Sequence, residues 1–156
     1  DPAEQPELFE RLYAHEDRAA RAAELADGCQ ELLAWLHENA MPTAVITRNS
    51  AASAKTIWQT HGLPELPIYS RDEAPPKPDP TVVFEACRRF ELRPADVWMV
   101  GDGIFDVEVA RNAGATGVWL SLGRDLRPFE AEPHLTVAGL PELLAVLRNH
   151  VTGASE

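Results

Sequence analysis

Two aspartates four residues apart carry the strongest chemical signal in this chain. They lie in Val97-Trp98-Met99-Val100-Gly101-Asp102-Gly103-Ile104-Phe105-Asp106, where an apolar run ends in Gly-Asp and a second acid follows. Four residues is about one helical turn, so Asp106 can share a face with Asp102 at the end of a strand. Two carboxylates brought together repel unless a cation sits between them, and a few hard oxygen ligands are what Mg²⁺ prefers. The competing reading makes Asp102 a turn residue and Asp106 a favourable charge in a first helical turn. Glycines on both sides of Asp102, which let backbone approach a ligand closely, favour the metal.

Two further positions could handle an anion. Thr47 ends an apolar run and is followed by Arg48-Asn49-Ser50 and a helical pattern, so a hydroxyl stands beside free helix-end amides, a setting suited to phosphate. An ordinary helix cap explains the same residues as well. Lys77 lies in Pro75-Pro76-Lys77-Pro78-Asp79-Pro80. Prolines on both sides restrict the backbone, so its ammonium could neutralise a phosphate or a carboxylate rather than wander in solvent.

The elements that position these residues follow from periodicity. Helical spacing covers residues 6–26, broken at Asp27-Gly28, then 29–39 with Cys29, Leu32, Leu33 and Leu36 on one face. Short apolar runs at 43–47, 66–69, 97–100, 116–120 and 136–137 read as strands. Helical patterns occupy 50–61, a segment opened by Asp79-Pro80, 104–113 closed by Gly114, and 141–150. Strands alternating with helices predict an α/β fold with a parallel sheet and helices on both faces. Ligands then bind beyond the carboxyl ends of the strands, where Thr47, Asp102 and the Lys77 loop fall. Residues 151–156 are expected to be a flexible tail.

Composition narrows the partners. Against 14 Lys and Arg stand 25 Asp and Glu, a net charge of -11, which argues against nucleic acid and against an anionic membrane surface. It leaves room for a small phosphorylated substrate, because a local cation or metal inverts the field at the site. Cys29 and Cys87 sit in apolar helical patterns and read as reduced core residues. The five histidines are scattered without metal-ligand spacing, and the four tryptophans fall in helix or strand patterns. No run approaches membrane-spanning length, and the first ten residues lack the apolar core of a signal peptide. A cytoplasmic location is the default expectation.

In their order along the chain, Thr47, Lys77 before Pro-Asp-Pro, and Gly101-Asp102 with Asp106 followed by Ala110-Arg111-Asn112-Ala113-Gly114 resemble the haloacid dehalogenase superfamily over residues 28–150, most of all its phosphoglycolate-phosphatase-like branch. The resemblance implies a Rossmann-like core over 28–150, with residues 1–27 as the remnant of a helical cap. It implies a Mg²⁺-dependent phosphatase that hydrolyses a small phosphomonoester through an aspartyl-phosphate. Thr47 would bind the transferring phosphoryl group with the amides of Arg48 and Asn49, and Lys77 would pair with nucleophile and phosphate. Asp102 would ligate Mg²⁺ directly, and Asp106 directly or through water. Gly101-Asp102 sets the chain apart from the metal-free dehalogenases of the superfamily. A phospho-acceptor signalling domain shares this chemistry, but it resembles the reverse order, acids early and Lys-Pro late.

One family element has no counterpart: Asp-x-Asp-Gly-Thr, which carries the nucleophile on a central strand, does not occur among the 156 residues. The strands ending at Thr47 and Gly101 should therefore flank a gap. We expect that gap to be filled by a segment outside the chain, by a rearranged strand, or by a strand swapped in a dimer. A second function reading follows, a non-catalytic relative that binds metal, phosphate or a partner.

Overall fold

The computed structural model describes residues 5–124 and 132–153, with side chains described over 14–124 and 132–151. In chain order the elements are α1 (Gln5–Ala22), α2 (Cys29–Glu38), β1 (Val45–Ile46), α3 (Ala51–Thr60), β2 (Ile68–Tyr69), α4 (Thr81–Phe90), a 3₁₀ turn (Pro94–Asp96), β3 (Trp98–Gly101), α5 (Ile104–Ala113), β4 (Thr116–Leu120), β5 (Leu135–Val137) and α6 (Leu140–Gly153). Of the expected tail 151–156, residues 151–153 continue α6, and 154–156 lie outside the described residues.

All strand pairs are parallel, but the sheet is not continuous. β1 pairs with β2, while β3, β4 and β5 form a second sheet in that order. Helices cover both faces of the larger sheet. On one, Val82, Val83 and Cys87 of α4 and Val109, Ala110 and Ala113 of α5 pack with Met99. On the other, Leu32 of α2 and Leu143 and Leu144 of α6 pack with Val118 and Val137, joined by Trp98 and Val100. The split of Met99 from Trp98 and Val100 follows the period-2 alternation of a strand.

A slot separates the two sheets, and none of the described strands enters it. The amides of Val45 and Thr47 donate to Pro67 and Tyr69, both at 2.9 Å, and the amide of Thr116 donates to Val97 at 3.0 Å. By alternation the peptide groups of Ile46, Trp98 and Val100 turn the other way, toward the slot. The reading in which the chain rearranges a strand of its own into the gap therefore fails among the described residues.

The open edge also explains a length difference. Residues 43–47 were expected to form a full strand, yet only Val45–Ile46 pairs, and 66–69 shrinks to Ile68–Tyr69. With a single neighbour on one side, the ladder has less to extend along. α1 likewise stops at Ala22, four residues early. The carbonyl of Ala23 instead bonds to the His61 ring (Nε2 to O 2.8 Å) at the end of α3, so the chain leaves the helix to meet its neighbour.

Candidate functional site

Asp106 is placed by local structure first. Strand β3 runs into Gly101, the chain bends, and α5 starts at Ile104. Asp106 is in the first turn of α5, and its Oδ2 accepts a hydrogen bond from the Gly103 amide at 3.0 Å. That satisfies an orphan helix-end donor and places a negative charge at the positive end of the helix. The favourable first-turn charge weighed from the sequence is thus present, and it is combined with a second role: Oδ1 forms an ion pair with the Lys77 ammonium. Both partners are largely enclosed, with side chains 12% and 10% exposed.

Gly101 has a different reason from the one expected. A Cβ built there would collide with the Asp106 carboxyl carbon and Cβ, so the missing side chain makes room for Asp106 rather than for a ligand. The Lys77 loop is held from the same helix, because Asn112 Nδ2 donates to the Pro78 carbonyl at 3.0 Å. The Lys77-Pro78 peptide is cis. Helix α4 begins one residue later than Asp79-Pro80 indicates, at Thr81, whose amide donates to Asp79 Oδ1 at 2.9 Å. The Thr81 hydroxyl, and with it that amide, hold the Asp79 carboxyl below its ordinary pKa.

Thr47 follows β1 directly, and its Oγ1 accepts from the Asn49 amide at 3.1 Å. Asn49 N–H is therefore engaged by Thr47, while Arg48 N–H makes no hydrogen bond among the described residues. Ser50 caps α3, accepting from the Ser53 amide at 3.2 Å, and Asp72 accepts from the Ala51 amide at 2.8 Å. Arg48 is exposed, and its guanidinium lies 5.7 Å from the centroid of the Phe105 ring, a cation–π arrangement.

One cleft of about 420 Å³ unites these groups. Thr47, Arg48, Asn49, Lys77, Asp102 and Asp106 all line it, together with Ile46 and Val100, whose strands bound the slot. A smaller hollow of about 150 Å³ adjoins it, shared by Thr47, Arg48 and Lys77 and closed by Tyr69, Ser70 and Arg71. Arg71 is tied to Glu16 of α1 by paired hydrogen bonds, the longer at 2.9 Å, and the guanidinium holds the Glu16 carboxyl below its ordinary value of 4.5.

Several contributors were not legible in the sequence. Trp119 Nε1 donates to the Asp102 carbonyl at 3.3 Å, and Arg124 Nη2 donates to that carbonyl at 2.8 Å and to the Asp102 carboxylate Oδ2 at 3.2 Å. The pairing of Gly101 with Trp119 brings the two strand ends together. The only available signal for Arg124 was its place just past a strand's carboxyl end. Phe105 read as one more helix residue, but 41% of it is exposed at the cleft.

The donor set can be tested against Mg²⁺. Hard carboxylate oxygens are present, but among the described residues no three metal-ligating side chains gather. Both Asp106 oxygens already accept hydrogen bonds, whereas Asp102 is 59% exposed and held at one oxygen only. Asp102 suits direct coordination, and Asp106 suits contact through water, with the remaining positions filled from elsewhere.

Parallel strands wrapped by helices, with cations, amides and acids gathered past the strand ends, define an α/β protein of the kind that handles anionic ligands at that rim. The chain belongs to the haloacid dehalogenase-like hydrolases, whose family model matches residues 2–120. It is 27% identical to a phosphoglycolate phosphatase of Vibrio vulnificus over 150 residues, covering 93% of this chain and 65% of that protein. It is 34% identical to an N-acetylmuramic acid 6-phosphate phosphatase of Pseudomonas putida over 109 residues, covering 68% of this chain and 49% of that protein. The crystal structure of a hydrolase from Pseudomonas syringae superimposes with a TM-score of 0.75 at 26% identity, covering 85% of this chain and 63% of that one. The chain thus spans about half to two thirds of the length of these relatives. No helix among the described residues is long and apolar enough to cross a membrane.

Proposed function

We propose that the chain forms the phosphate- and cation-binding rim of a Mg²⁺-dependent phosphatase acting on a small phosphomonoester through an aspartyl-phosphate. The nucleophile would arrive on a strand that fills the slot between β1 and β3. The observation that carries this is the cleft itself: Thr47, Lys77, Asp102 and Asp106 line it at the end of the slot where such a strand would finish.

Phosphoryl transfer asks little of a protein beyond positioning and stabilising charge on the equatorial oxygens. Thr47 would donate its hydroxyl proton to one of those oxygens while its lone pair holds the Asn49 amide. Arg48 N–H would supply a second donor. Lys77, kept in place by Asp106, would neutralise the phosphate and the attacking carboxylate. Asp102 would bind Mg²⁺ directly, with Asp106 acting through water. Bound there, the ion would neutralise charge on the phosphoryl group and fix its orientation. Helix α1 packs along α3 and is fastened by Glu16 to Arg71, which fits the cap remnant expected of this end of the chain. A cytoplasmic setting belongs to the same proposal.

The slot-filling strand would come from a segment beyond these 156 residues. Exchange between two copies is the alternative source and would appear as a dimer in sedimentation. The test is phosphate release from p-nitrophenyl phosphate with and without Mg²⁺. It is run on this chain and on a version preceded by a strand bearing Asp-x-Asp-Gly-Thr. Metal-dependent turnover is expected only for the longer version, and Asp102→Asn should lower it by about 10²-fold or more. If the longer version stays inert, the non-catalytic reading takes its place.

A further inference from the structure

Both acids of the rim are already neutralised by the chain's own cations, Asp106 by Lys77 and Asp102 by Arg124. The two pairs differ in kind. Lys77 and Asp106 are enclosed, whereas Arg124 and Asp102 are 52% and 59% exposed, an arrangement that solvent and salt can loosen.

Arg124 is brought back to Asp102 by a built turn. After β4 the amides of Ser121 and Leu122 bond to Val137 (2.8 Å) and Ala138 (3.1 Å), which fixes the strand end against β5. Leu122 and Gly123 then take left-handed backbone angles, φ 51° and 74°, and the Arg124 amide closes on the Ser121 carbonyl at 2.9 Å. Left-handed geometry is unfavourable for leucine, so the turn is held by its surroundings. The guanidinium is braced as well, with Nε donating to the Ser121 carbonyl at 3.2 Å. Its Nη2 meets two oxygens of one residue, the carbonyl and Oδ2 of Asp102. Carboxylate and carbonyl oxygens are also what a hard divalent cation seeks.

We propose that Arg124 is a resident counter-ion that competes with the divalent cation for Asp102, lowering the rim's cation affinity until the pair opens. This rests on Asp102 being a metal ligand, as read above. With both carboxylates paired and the Arg48 guanidinium also lining the cleft, the rim does not hold a cation at all times. The cation enters by displacing a solvent-exposed guanidinium, which needs no movement of the enclosed Lys77–Asp106 pair.

The test is calorimetric titration of the whole chain with Mg²⁺ alone at low ionic strength. It compares the natural protein with Arg124→Gln, Arg124→Lys and Asp102→Asn. Removing the charge should tighten Mg²⁺ binding by about three- to tenfold, an advantage that fades as salt screens the site. Arg124→Lys, which keeps the charge, should stay within about twofold of the parent. A merely structural role predicts the opposite sign, weaker binding in both Arg124 variants. Equal or weaker binding in Arg124→Gln, with binding lost in Asp102→Asn, overturns the competition and leaves Asp102 as the ligand. Absence of Mg²⁺ binding in every variant overturns both.

Discussion

The sheet β3-β4-β5 and the ribbon β1-β2 are made from similar sequence but behave differently. Residues 43–47 are Thr-Ala-Val-Ile-Thr and residues 116–120 are Thr-Gly-Val-Trp-Leu, both short apolar runs starting at threonine. The second has a neighbour on each side, pairing over four residues with β3 and three with β5, and buries Val118 completely, at 0% exposure. The first pairs over two residues on one side, and neither Val45 nor Ile46 is fully buried. Strand character here is decided by neighbours more than by propensity, as β propensities in general are. The candidate rim sits astride this difference, with Thr47 at the end of the weak ribbon and Asp102 at the end of the strong sheet.

The largest effect that would test the contrast lies at the joint between the two parts. Asp106→Ala leaves the enclosed Lys77 ammonium without its partner and should cost about 3–5 kcal/mol in urea unfolding. A loss below 1 kcal/mol would mean that the ammonium already reaches water. Next comes the core of the strong half: Leu143→Ala, at 2% exposure, should cost about 2–5 kcal/mol, and Ile46→Ala beside the slot less than half as much. Equal costs would show that the slot is closed to solvent. Gly101→Ala should destabilise by about 1–3 kcal/mol, because the new methyl meets the Asp106 carboxyl. It should also loosen Lys77, read as a shift of its side-chain amine resonance in NMR.

The smallest effect concerns pH. The Glu16 carboxyl is held below its ordinary value of 4.5 by Arg71, so the folded state binds its proton less readily than the unfolded chain. Its contribution is full above 4.5 and is lost as pH falls through the lower folded value. Unfolding midpoints of the natural chain and Arg71→Gln should differ near neutrality and converge in that acid range. Midpoints that keep a constant separation down to acid pH would remove the pair from the account.

How much was legible follows the same division. The bounds of α5 and β4 agree residue for residue with the sequence reading, because Gly114 stops the helix locally and an apolar run sets the strand. The four motif residues were legible because they follow three strands, Thr47 after β1, Lys77 after β2, and Asp102 and Asp106 after β3, and their meeting at one rim follows from parallel topology. The ribbon was overestimated because no local signal reports a missing neighbour. Arg124 was missed because its contact with Asp102 spans 22 residues and depends on a left-handed turn at a leucine. The Glu16–Arg71 tie, 55 residues apart, was invisible for the same reason.

The empty place at Gly101 has a mechanical consequence. Because the Asp106 carboxyl occupies the position a Cβ would take, α5 can meet the strand in only one rotational setting, as a toothed wheel meets a notch. A step of one residue would turn the helix by about 100° and drive a different side chain into that notch. The rotation of the whole helix is thereby keyed to the strand end. The same keyed helix holds the Lys77 loop at two points, Asp106 at the ammonium and Asn112 at the Pro78 carbonyl.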